Sequence, residues 1–411
     1  MEAGKFKEVA AIEENKNWNR LIHRENELYS RNNDIRSEFE RDYTRVLHSL
    51  AYRRLKHKTQ VFFNVDNDHI CTRMEHVSHV ESVSSTIGKF LGLNTELIRA
   101  IATAHDLGHA PFGHQGETVI KELTEKYLGT TFWHERNGLY FVDKVELLED
   151  NNRFFQNLNL TYAVRDGIIS HCGEVDENGI FPRDTLFDLN EFISPGQYQP
   201  ATWEGCVVKI ADKIAYLGRD IEDAYRLRFI DKEQLYKFKN LAQEYGATTI
   251  NTTVIMHDLI IDICKNSSPE KGILLSKKAQ VFLDELKKLN YDAIYHNDKL
   301  SPFKKYSNLV LTELFNKYLE VYAGEETLHE LRKQNKIYPQ IMNGFSLWLV
   351  PYCDIDFNNI SWASKTSRKS KNEKIYGKLE TKEIYIRAII DYLSGMTDRY
   401  AIELFNELIS Y

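Results

Sequence analysis

The chain has 411 residues, a formal net charge of −7 and 27% charged residues. This length allows a large hydrophobic core, and the acidic balance argues against non-specific nucleic-acid binding by the whole surface. The five cysteines are widely spaced and form no CxxC pair, which excludes a disulfide framework or a zinc knuckle. No run of about 18 apolar residues is present. These features predict a cytoplasmic protein that does not enter membranes.

The N-terminal residues 1–50 are charged and rich in asparagine, with helical periodicity from Leu21 to Leu50. We expect them to form an arm or interface helices. We predict a folded core at 51–230 and a helical C-terminal region at 231–411 that packs on the core and completes its site. The core opens with the basic stretch 52–62, which is either a solvated helix end or a set of cations near an anionic ligand.

A buried histidine and an inward-facing His-Asp pair are predicted on two successive helices. From Arg73 onward, apolar residues recur at steps of three and four, so the buried face of this helix includes His76. A single histidine on such a face is usually a satisfied core residue. Asn94 is a suitable N-cap for the next helix, in which two apolar rows end in His105 and Asp106. An adjacent imidazole and carboxylate that point inward suit Mn, Fe, Co, Ni or Mg.

Residues 103–117 hold three histidines and two acidic residues. Glycine and proline at 108–111 end the preceding helix, and apolar periodicity predicts a new helix that begins near His114. His114 and Glu117 share one side of its first turn, where the carboxylate can orient the imidazole and the helix N-terminus favours a phosphate. The alternative is a simple N-terminal capping cluster. Further along, His134 is either a surface residue or part of the site.

The helix predicted from Trp203 to Asp223 carries a polar seam. Asp212, Tyr216 and Asp220 follow one another at four-residue steps and therefore lie on one side of the helix. Apolar residues surround Asp212, so its carboxylate needs a cation or a hydrogen-bond donor. A solvated seam would explain Asp220 equally well but explains Asp212 poorly. Residues 159–174 predict another buried helix.

The remaining segments also predict helices. Leu139 to Leu148 is amphipathic, and residues 225–345 alternate helical segments with polar turns and carry no recognisable motif. Two helices, from Ile384 to Leu393 and from Thr397 to Leu408, close the chain. The run 365–374 contains five cations and is either a solvated loop or an anion or nucleotide site. The pattern as a whole predicts a mainly α fold.

Taken together, these residues resemble a known family. His76, the His105-Asp106 pair and Asp212 are similar, in order and context, to the H…HD…D ligand pattern of the HD superfamily of metal-dependent phosphohydrolases. Five ordered blocks look like those of the dGTPase-type deoxynucleoside triphosphate triphosphohydrolases, namely residues 53–62, 73–76, 105–117, 158–161 and 395–401. Ala110 departs from the proline common in that family. The region around His134 resembles only one of its branches.

This resemblance implies a helical HD fold with an additional helical C-terminal region. It implies one divalent metal ion held by His76, His105, Asp106 and Asp212, and conversion of a deoxynucleoside triphosphate into deoxynucleoside and inorganic triphosphate. His114, Glu117 and His134 would be catalytic, acting at the attacking water or the departing 5′ oxygen. The residues implied to contact substrate are Gln60, Arg73, His109, Lys213, Tyr216, Asp220 and Tyr400.

The resemblance also implies partners. Family members commonly form homo-oligomers whose interfaces hold a regulatory nucleotide, and the basic run 365–374 is a candidate for that site. A single-stranded nucleic acid effector is a further expected partner, whereas a membrane is not. The base preference, dGTP alone or several dNTPs, is not readable from the chain.

Two other functions compete with this interpretation. Another HD phosphohydrolase, such as a nucleotidase or phosphodiesterase, would use the same metal ligands without needing the blocks at 58–60 and 395–401. A non-catalytic nucleotide sensor would not need an intact ligand set or the pair formed by His114 and Glu117.

Overall fold

The computed structural model describes residues 2–28, 33–62, 69–172, 178–246, 252–354 and 370–410. Within these ranges the chain is mainly helical, which confirms the predicted fold class. The α-helices, numbered in chain order, are α1 Trp18–Leu21, α2 Glu38–His48, α3 Leu50–Arg54, α4 Arg73–Leu91, α5 Thr95–Ala104, α6 Gly113–Leu128, α7 His134–Tyr140, α8 Tyr162–Ser170, α9 Trp203–Arg226, α10 Lys232–Tyr245, α11 Thr252–Asn266, α12 Lys277–Asn290, α13 Ser301–Leu319, α14 Thr327–Gln334, α15 Pro339–Leu349, α16 Lys382–Ser394 and α17 Asp398–Ile409. No helix in the described ranges combines the length and apolarity needed to cross a bilayer.

A small antiparallel hairpin was not predicted. Strands β1 (Leu147–Glu149) and β2 (Phe155–Asn157) pair so that Leu147 lies opposite Asn157. The turn between them is fixed by Asp150, whose Oδ1 accepts the backbone N–H groups of the residues two and four positions later. The expected amphipathic segment therefore ends in a strand, because the local turn hydrogen bonds of an aspartate compete with helix continuation.

The described residues group into two compact units, each built from three stretches of the chain. The first unit comprises Met1–Leu47, Val65–Asp106 and Leu160–Pro302. The second comprises His48–Asn64, Leu107–Asn159 and Phe303–Tyr411. The domain boundaries given by the sequence stay a prediction.

In the first unit, α4 and α8 both pack against α5 and α9. The ends of α4 and α5 follow local rules, since Thr72 and Glu75 form a capping box and the Asn94 side chain caps α5. Gly167 of α8 lies so close to Ile101 that a Cβ atom there would meet that side chain at 2.5 Å. Glycine therefore permits α8 to approach α5 closely. The N-terminal residues 2–28 belong to this unit, with buried apolar side chains at Phe6, Ala10, Ala11 and Leu21.

In the second unit, α16 packs against α6, and α15 packs against α14, α16 and α17. Its core is rich in aromatic rings, and the ring of Phe345 lies 4.6 Å from that of Tyr318 and 5.0 Å from that of Tyr392, centroid to centroid. Gly108 faces the backbone of α7, and a Cβ atom at this position would meet the Gly138 nitrogen and the His134 carbonyl oxygen at 2.1 Å each. This approach fixes the start of α7 beside the segment that follows Asp106.

Candidate metal centre and histidine cluster

Three predicted metal ligands converge inside the first unit. His76 lies on α4, His105 directly follows α5, and Asp212 lies on α9. One ligand atom from each lies within 4.8 Å of the other two. The Nε2 atom of His76 is 2.9 Å from Oδ1 of Asp212, and Nε2 of His105 is 3.8 Å from the same oxygen. Two nitrogens and one carboxylate oxygen therefore face a common point.

The fourth predicted ligand, Asp106, adjoins the same point. Its Oδ1 lies 3.4 Å from Nε2 of His105, and its Oδ2 lies 3.9 Å from Nε2 of His76. Arg73, which is also buried, donates to Oδ2 of Asp106 at 2.9 Å. The guanidinium orients this carboxylate and offsets part of its charge.

The tautomer of His105 shows that this donor set fits a metal ion. Its Nδ1 lies 2.7 Å from the carbonyl oxygen of Ala102, which only accepts, so Nδ1 carries the proton and Nε2 presents a lone pair. This Nε2 is buried and has no hydrogen-bond donor among the described residues. A buried acceptor without a donor is costly, and a divalent cation would satisfy it.

The charge state of Asp212 also suits a metal ion. Burial raises the pKa of Asp212, but the neighbouring imidazoles of His76 and His105 outweigh it and hold this pKa well below its ordinary value. Burial lowers the pKa of His76, yet the carboxylates of Asp212 and Asp106 produce a net rise. Asp212 is therefore ionised, which is the form that binds a metal ion.

His171 is a candidate ligand that the sequence did not single out. It follows α8, is buried, and its ligand atom lies within 4.8 Å of those of His105 and Asp106. Its Nδ1 lies 2.7 Å from the carbonyl oxygen of Ile168, and its ring meets the ring of His105 edge-on with centroids 4.9 Å apart. The available signal was a histidine directly after a buried helix, which alone does not distinguish a ligand from a core residue.

Three predicted substrate residues of the first unit lie on α9. Lys213 and Asp220 are buried and Tyr216 is half-buried. The hydroxyl of Tyr295 donates to Oδ2 of Asp220. Burial raises the pKa of Asp220 to about 7 despite this hydrogen bond. Tyr295 was not predicted, because residues 225–345 contain no motif.

A second group of predicted residues lies in the second unit. Oε1 of Glu117 accepts the backbone N–H of His134 at 3.0 Å and lies 3.1 Å from Nδ1 of its ring. The rings of His109 and His134 stack with centroids 3.7 Å apart, and Nδ1 of His109 is 3.7 Å from Oε2 of Glu117. Burial raises the pKa of Glu117, but the adjacent His134 outweighs it, and the net effect is a strong lowering. We call Glu117, His109 and His134 the histidine cluster.

His114 lies on the exposed side of this cluster, with its ring centroid 6.3 Å from that of His109. Glu117, the carboxylate predicted to orient His114, contacts the backbone N–H and the ring of His134. This contact links His134 to Glu117 across 17 positions of sequence, which helical periodicity does not reveal. The catalytic roles of these residues stay predictions.

Gln60 and Tyr400 are the remaining predicted substrate residues. Gln60 is buried. Its backbone carbonyl oxygen lies close to Gly113, and a Cβ atom at Gly113 would be 2.8 Å from this oxygen. Tyr400 shares a hydrogen bond of 2.9 Å with Tyr392 and lines a cavity of about 230 Å³ with Trp348.

Of the basic run 365–374, residues 365–369 lie outside the described ranges. In the described part, Lys371 lies 3.9 Å from Asp150 and Lys374 donates to the carbonyl oxygen of Pro351 at 2.8 Å. These contacts are those of a surface loop, and an anion site here stays a prediction.

Two family models of known proteins match this chain. The HD domain family model matches residues 73–217, and the phosphohydrolase-associated domain model matches residues 373–407. Three relatives are each described as a deoxyguanosinetriphosphate triphosphohydrolase-like protein. That of Caldanaerobacter subterraneus subsp. tengcongensis is 33% identical over 377 residues, covering 91% of this chain and 86% of the relative. That of Clostridium tetani is 34% identical over 332 residues, covering 80% and 86%.

The third relative, from Rickettsia felis, is 30% identical over 398 residues and covers 91% of this chain and 92% of its own length. The similarity extends over nearly the whole of both chains, and the range matched by the HD domain model, residues 73–217, contains the four residues of the candidate metal centre. The chain therefore belongs to the HD family of phosphohydrolases, among the deoxyguanosinetriphosphate triphosphohydrolase-like proteins.

Proposed function

We propose that this protein hydrolyses deoxynucleoside triphosphates to deoxynucleoside and inorganic triphosphate with the help of one divalent metal ion. The observation that carries the proposal is the convergence of His76, His105, Asp106 and Asp212 around the bare Nε2 of His105. The names of the relatives supply the substrate class. The substrate would be dGTP alone or several dNTPs, and the same four ligands would serve in either case.

The four converging residues would hold the metal ion, which would supply Lewis-acid activation and a template at the α-phosphorus. Arg73 donates a 2.9 Å hydrogen bond to Asp106 and would keep this carboxylate oriented toward the metal ion. Lys213, buried on the same helix as Asp212, would offset the negative charge of the phosphates. Mn, Mg, Fe, Co and Ni all suit a mixed nitrogen and oxygen donor set.

The proton transfers would fall to His114, Glu117 and His134. A histidine has the ordinary pKa best suited to general acid and base catalysis near neutral pH. The ionised Glu117 carboxylate favours a protonated, oriented imidazole beside it, and His134 lies in hydrogen-bond range. One imidazole would act on the attacking water or protonate the departing 5′ oxygen, and His109 would contact a phosphate.

The leaving group follows from the position of the electrophile. In the proposed reaction water would attack the α-phosphorus and the bond from this phosphorus to the 5′ oxygen would break. The 5′ oxygen would take up a proton and depart as the hydroxyl of the deoxynucleoside, and inorganic triphosphate would be the other product. The sequence contains no GxxxxGK[ST] loop of the kind that holds β- and γ-phosphates for terminal transfer.

Gln60, Tyr216 and Asp220 match family positions near the sugar or the triphosphate, and discrimination between the sugars would rest on Gln60, Val61 and Tyr216. A pocket that leaves little room for a 2′-hydroxyl disfavours ribonucleotides, since a desolvated hydroxyl without a partner is costly. Regulation by a second nucleotide, a single-stranded nucleic acid effector and assembly into homo-oligomers stay predictions.

The decisive experiment is a product assay with each dNTP and each rNTP in the presence of Mn²⁺ or Mg²⁺. Ion-exchange separation should show triphosphate and deoxynucleoside in equal amounts, and Asp212→Ala prepared in parallel should show neither. Pyrophosphate with dNMP, or orthophosphate with dNDP, would contradict the proposal. Turnover of monophosphates or cyclic nucleotides alone would indicate another HD phosphohydrolase, and binding without turnover a nucleotide sensor. Equal turnover of GTP and dGTP would contradict only the sugar argument.

A further inference from the structure

We propose that Asp398, the first residue of α17, is a positioning residue that sets the turn between His109 and Glu117 and so aligns the histidine cluster. The inference rests on the proposed function for its kinetic consequence. Its structural basis lies within the second unit alone.

The Asp398 carboxylate is buried and receives three donors from two distant segments. Its Oδ1 accepts the backbone N–H of Phe112 at 2.8 Å. Its Oδ2 accepts the backbone N–H of Thr59 at 3.1 Å and the hydroxyl of Thr59 at 2.7 Å. The α17 N-terminus is capped by the neighbouring Thr397, whose hydroxyl oxygen accepts the N–H of Tyr400 at 3.1 Å. The Asp398 carboxylate therefore accepts hydrogen bonds from other segments of the chain, whereas Thr397 caps the helix.

The segment that Asp398 holds has an unfavourable backbone conformation. Phe112 has φ +65° and ψ +24°, which is the left-handed region and is unfavourable for a residue with a side chain. Gly113 follows with φ +57°, and a Cβ atom there would lie 2.8 Å from the carbonyl oxygen of Gln60. Such a turn persists only where surrounding contacts fix it, and the hydrogen bond to Asp398 is such a contact.

Two further contacts fix the start of the same segment. The ammonium group of Lys58, which is buried, donates to the carbonyl oxygens of His109 and Ser394. The Nδ2 of Asn137 donates to the carbonyl oxygen of Gly108 at 2.7 Å. The backbone around His109 is therefore held from one side by Lys58 and Asn137 and at Phe112 by Asp398.

The position of Glu117 depends on this turn because α6 begins at Gly113. If Phe112 leaves the left-handed region, the first turn of α6 rotates, and Glu117 moves relative to the backbone N–H of His134. The contacts of the Glu117 carboxylate with Nδ1 of His134 and with Nδ1 of His109 would change with it. Misplacement of a catalytic group by about 1 Å can lower the rate about 10²-fold.

The test is Asp398→Asn, which keeps the size of the side chain but replaces one acceptor oxygen by a donor nitrogen. We expect kcat to fall about 10²-fold, with KM and bound metal near their wild-type values, because the four metal ligands belong to the first unit. Thr59→Val, which removes only the hydroxyl donor, should show a smaller fall in kcat. Thr59→Ser keeps the hydroxyl and should have a kcat near the wild-type value.

The matched control is Asp391→Asn. Asp391 is a buried aspartate of the same unit, whose carboxylate accepts a hydrogen bond from Tyr376 at 2.9 Å and pairs with Arg387 of its own helix at 3.0 Å. A general loss of stability would affect both variants, whereas mispositioning would lower kcat only in Asp398→Asn. Equal losses of kcat in the two variants, or wild-type kcat in folded Asp398→Asn, would overturn the inference.

A measurement without substrate separates this inference from the proposed function. In ¹H–¹⁵N spectra of histidine side chains, the ring signals of His109 and His134 should shift in Asp398→Asn and stay in place in Asp391→Asn. Unchanged ring signals in Asp398→Asn would refute the positioning role even if the wild-type protein hydrolysed no dNTP. If Asp398→Asn does not fold, the same comparison is made with Thr59→Val.

Discussion

The backbone N–H of His134 donates to Oε1 of Glu117 at 3.0 Å, and Nδ1 of the same histidine lies 3.1 Å from that oxygen. One carboxylate therefore holds both the first residue of α7 and its ring. An acidic group at a helix N-terminus is favoured by the helix dipole and by the free N–H groups there. Glu117 thus fixes the ring and the backbone of His134 together.

Replacement of His114 by alanine should preserve bound metal and substrate binding but lower kcat about 10²–10⁴-fold, the usual contribution of a positioned acid or base. Glu117→Gln should lower kcat less, since the amide oxygen can still accept the N–H of His134. Steady-state kinetics of both variants with dGTP provide the measurement. A kcat near the wild-type value in His114→Ala would indicate that His134, and not His114, has the catalytic role.

Asp212→Ala and His105→Ala should each lose bound metal and activity while the helical fold is retained. Removal of one ligand leaves three donors in a site whose affinity depends on all four. Elemental analysis and circular dichroism give the two readouts, with Glu222→Gln on the same helix as control. Full metal occupancy in both alanine variants would show that the ligand assignment is wrong.

His171→Gln should weaken Mn²⁺ binding about 10–100-fold, as loss of a residue that supports the ligands usually does. The reason is that its ligand atom lies within 4.8 Å of those of His105 and Asp106. Isothermal titration calorimetry measures the dissociation constant. His79→Gln, on α4 with His76, is the control and should leave it unchanged; equal affinity of His171→Gln and the wild-type protein would assign His171 to packing alone.

Asp220 should make the stability of the protein depend on pH. Its pKa rises on folding from 3.8 to about 7 through burial, so the folded state bears the cost of a buried charge above pH 7 and none below pH 3.8. Stability from this group therefore falls as pH rises from 4 to 7. Asp220→Asn should be the more stable form at pH 8, by at most about 4 kcal/mol, with the difference vanishing near pH 4.

Urea unfolding of the two proteins at several pH values provides this difference directly. Tyr295→Phe removes the hydroxyl that donates to Asp220 and should move the upper end of the transition above pH 7. A stability difference between Asp220→Asn and the wild-type protein that does not vary with pH would contradict the assignment.

The sequence by itself determined the mainly helical fold and the inward direction of the candidate metal ligands. The Asn94 cap and the apolar rows of α5 place His105 and Asp106 on its buried side, and the apolar surroundings of Asp212 require a partner for its charge. These properties depend on residues three or four positions apart, which the helix repeat brings onto one face. Local spacing is sufficient for such an inference.

Only the tertiary structure decided which distant residues join these groups. His171 lies beside His105 because α8 approaches α5 at Gly167, and the Tyr295 hydroxyl contacts Asp220 across 75 positions of sequence. The carboxylate of Asp398 accepts the N–H of Phe112 across 286 positions. Such contacts depend on how helices pack, and packing is set by the shapes of whole faces rather than by any repeat within one segment.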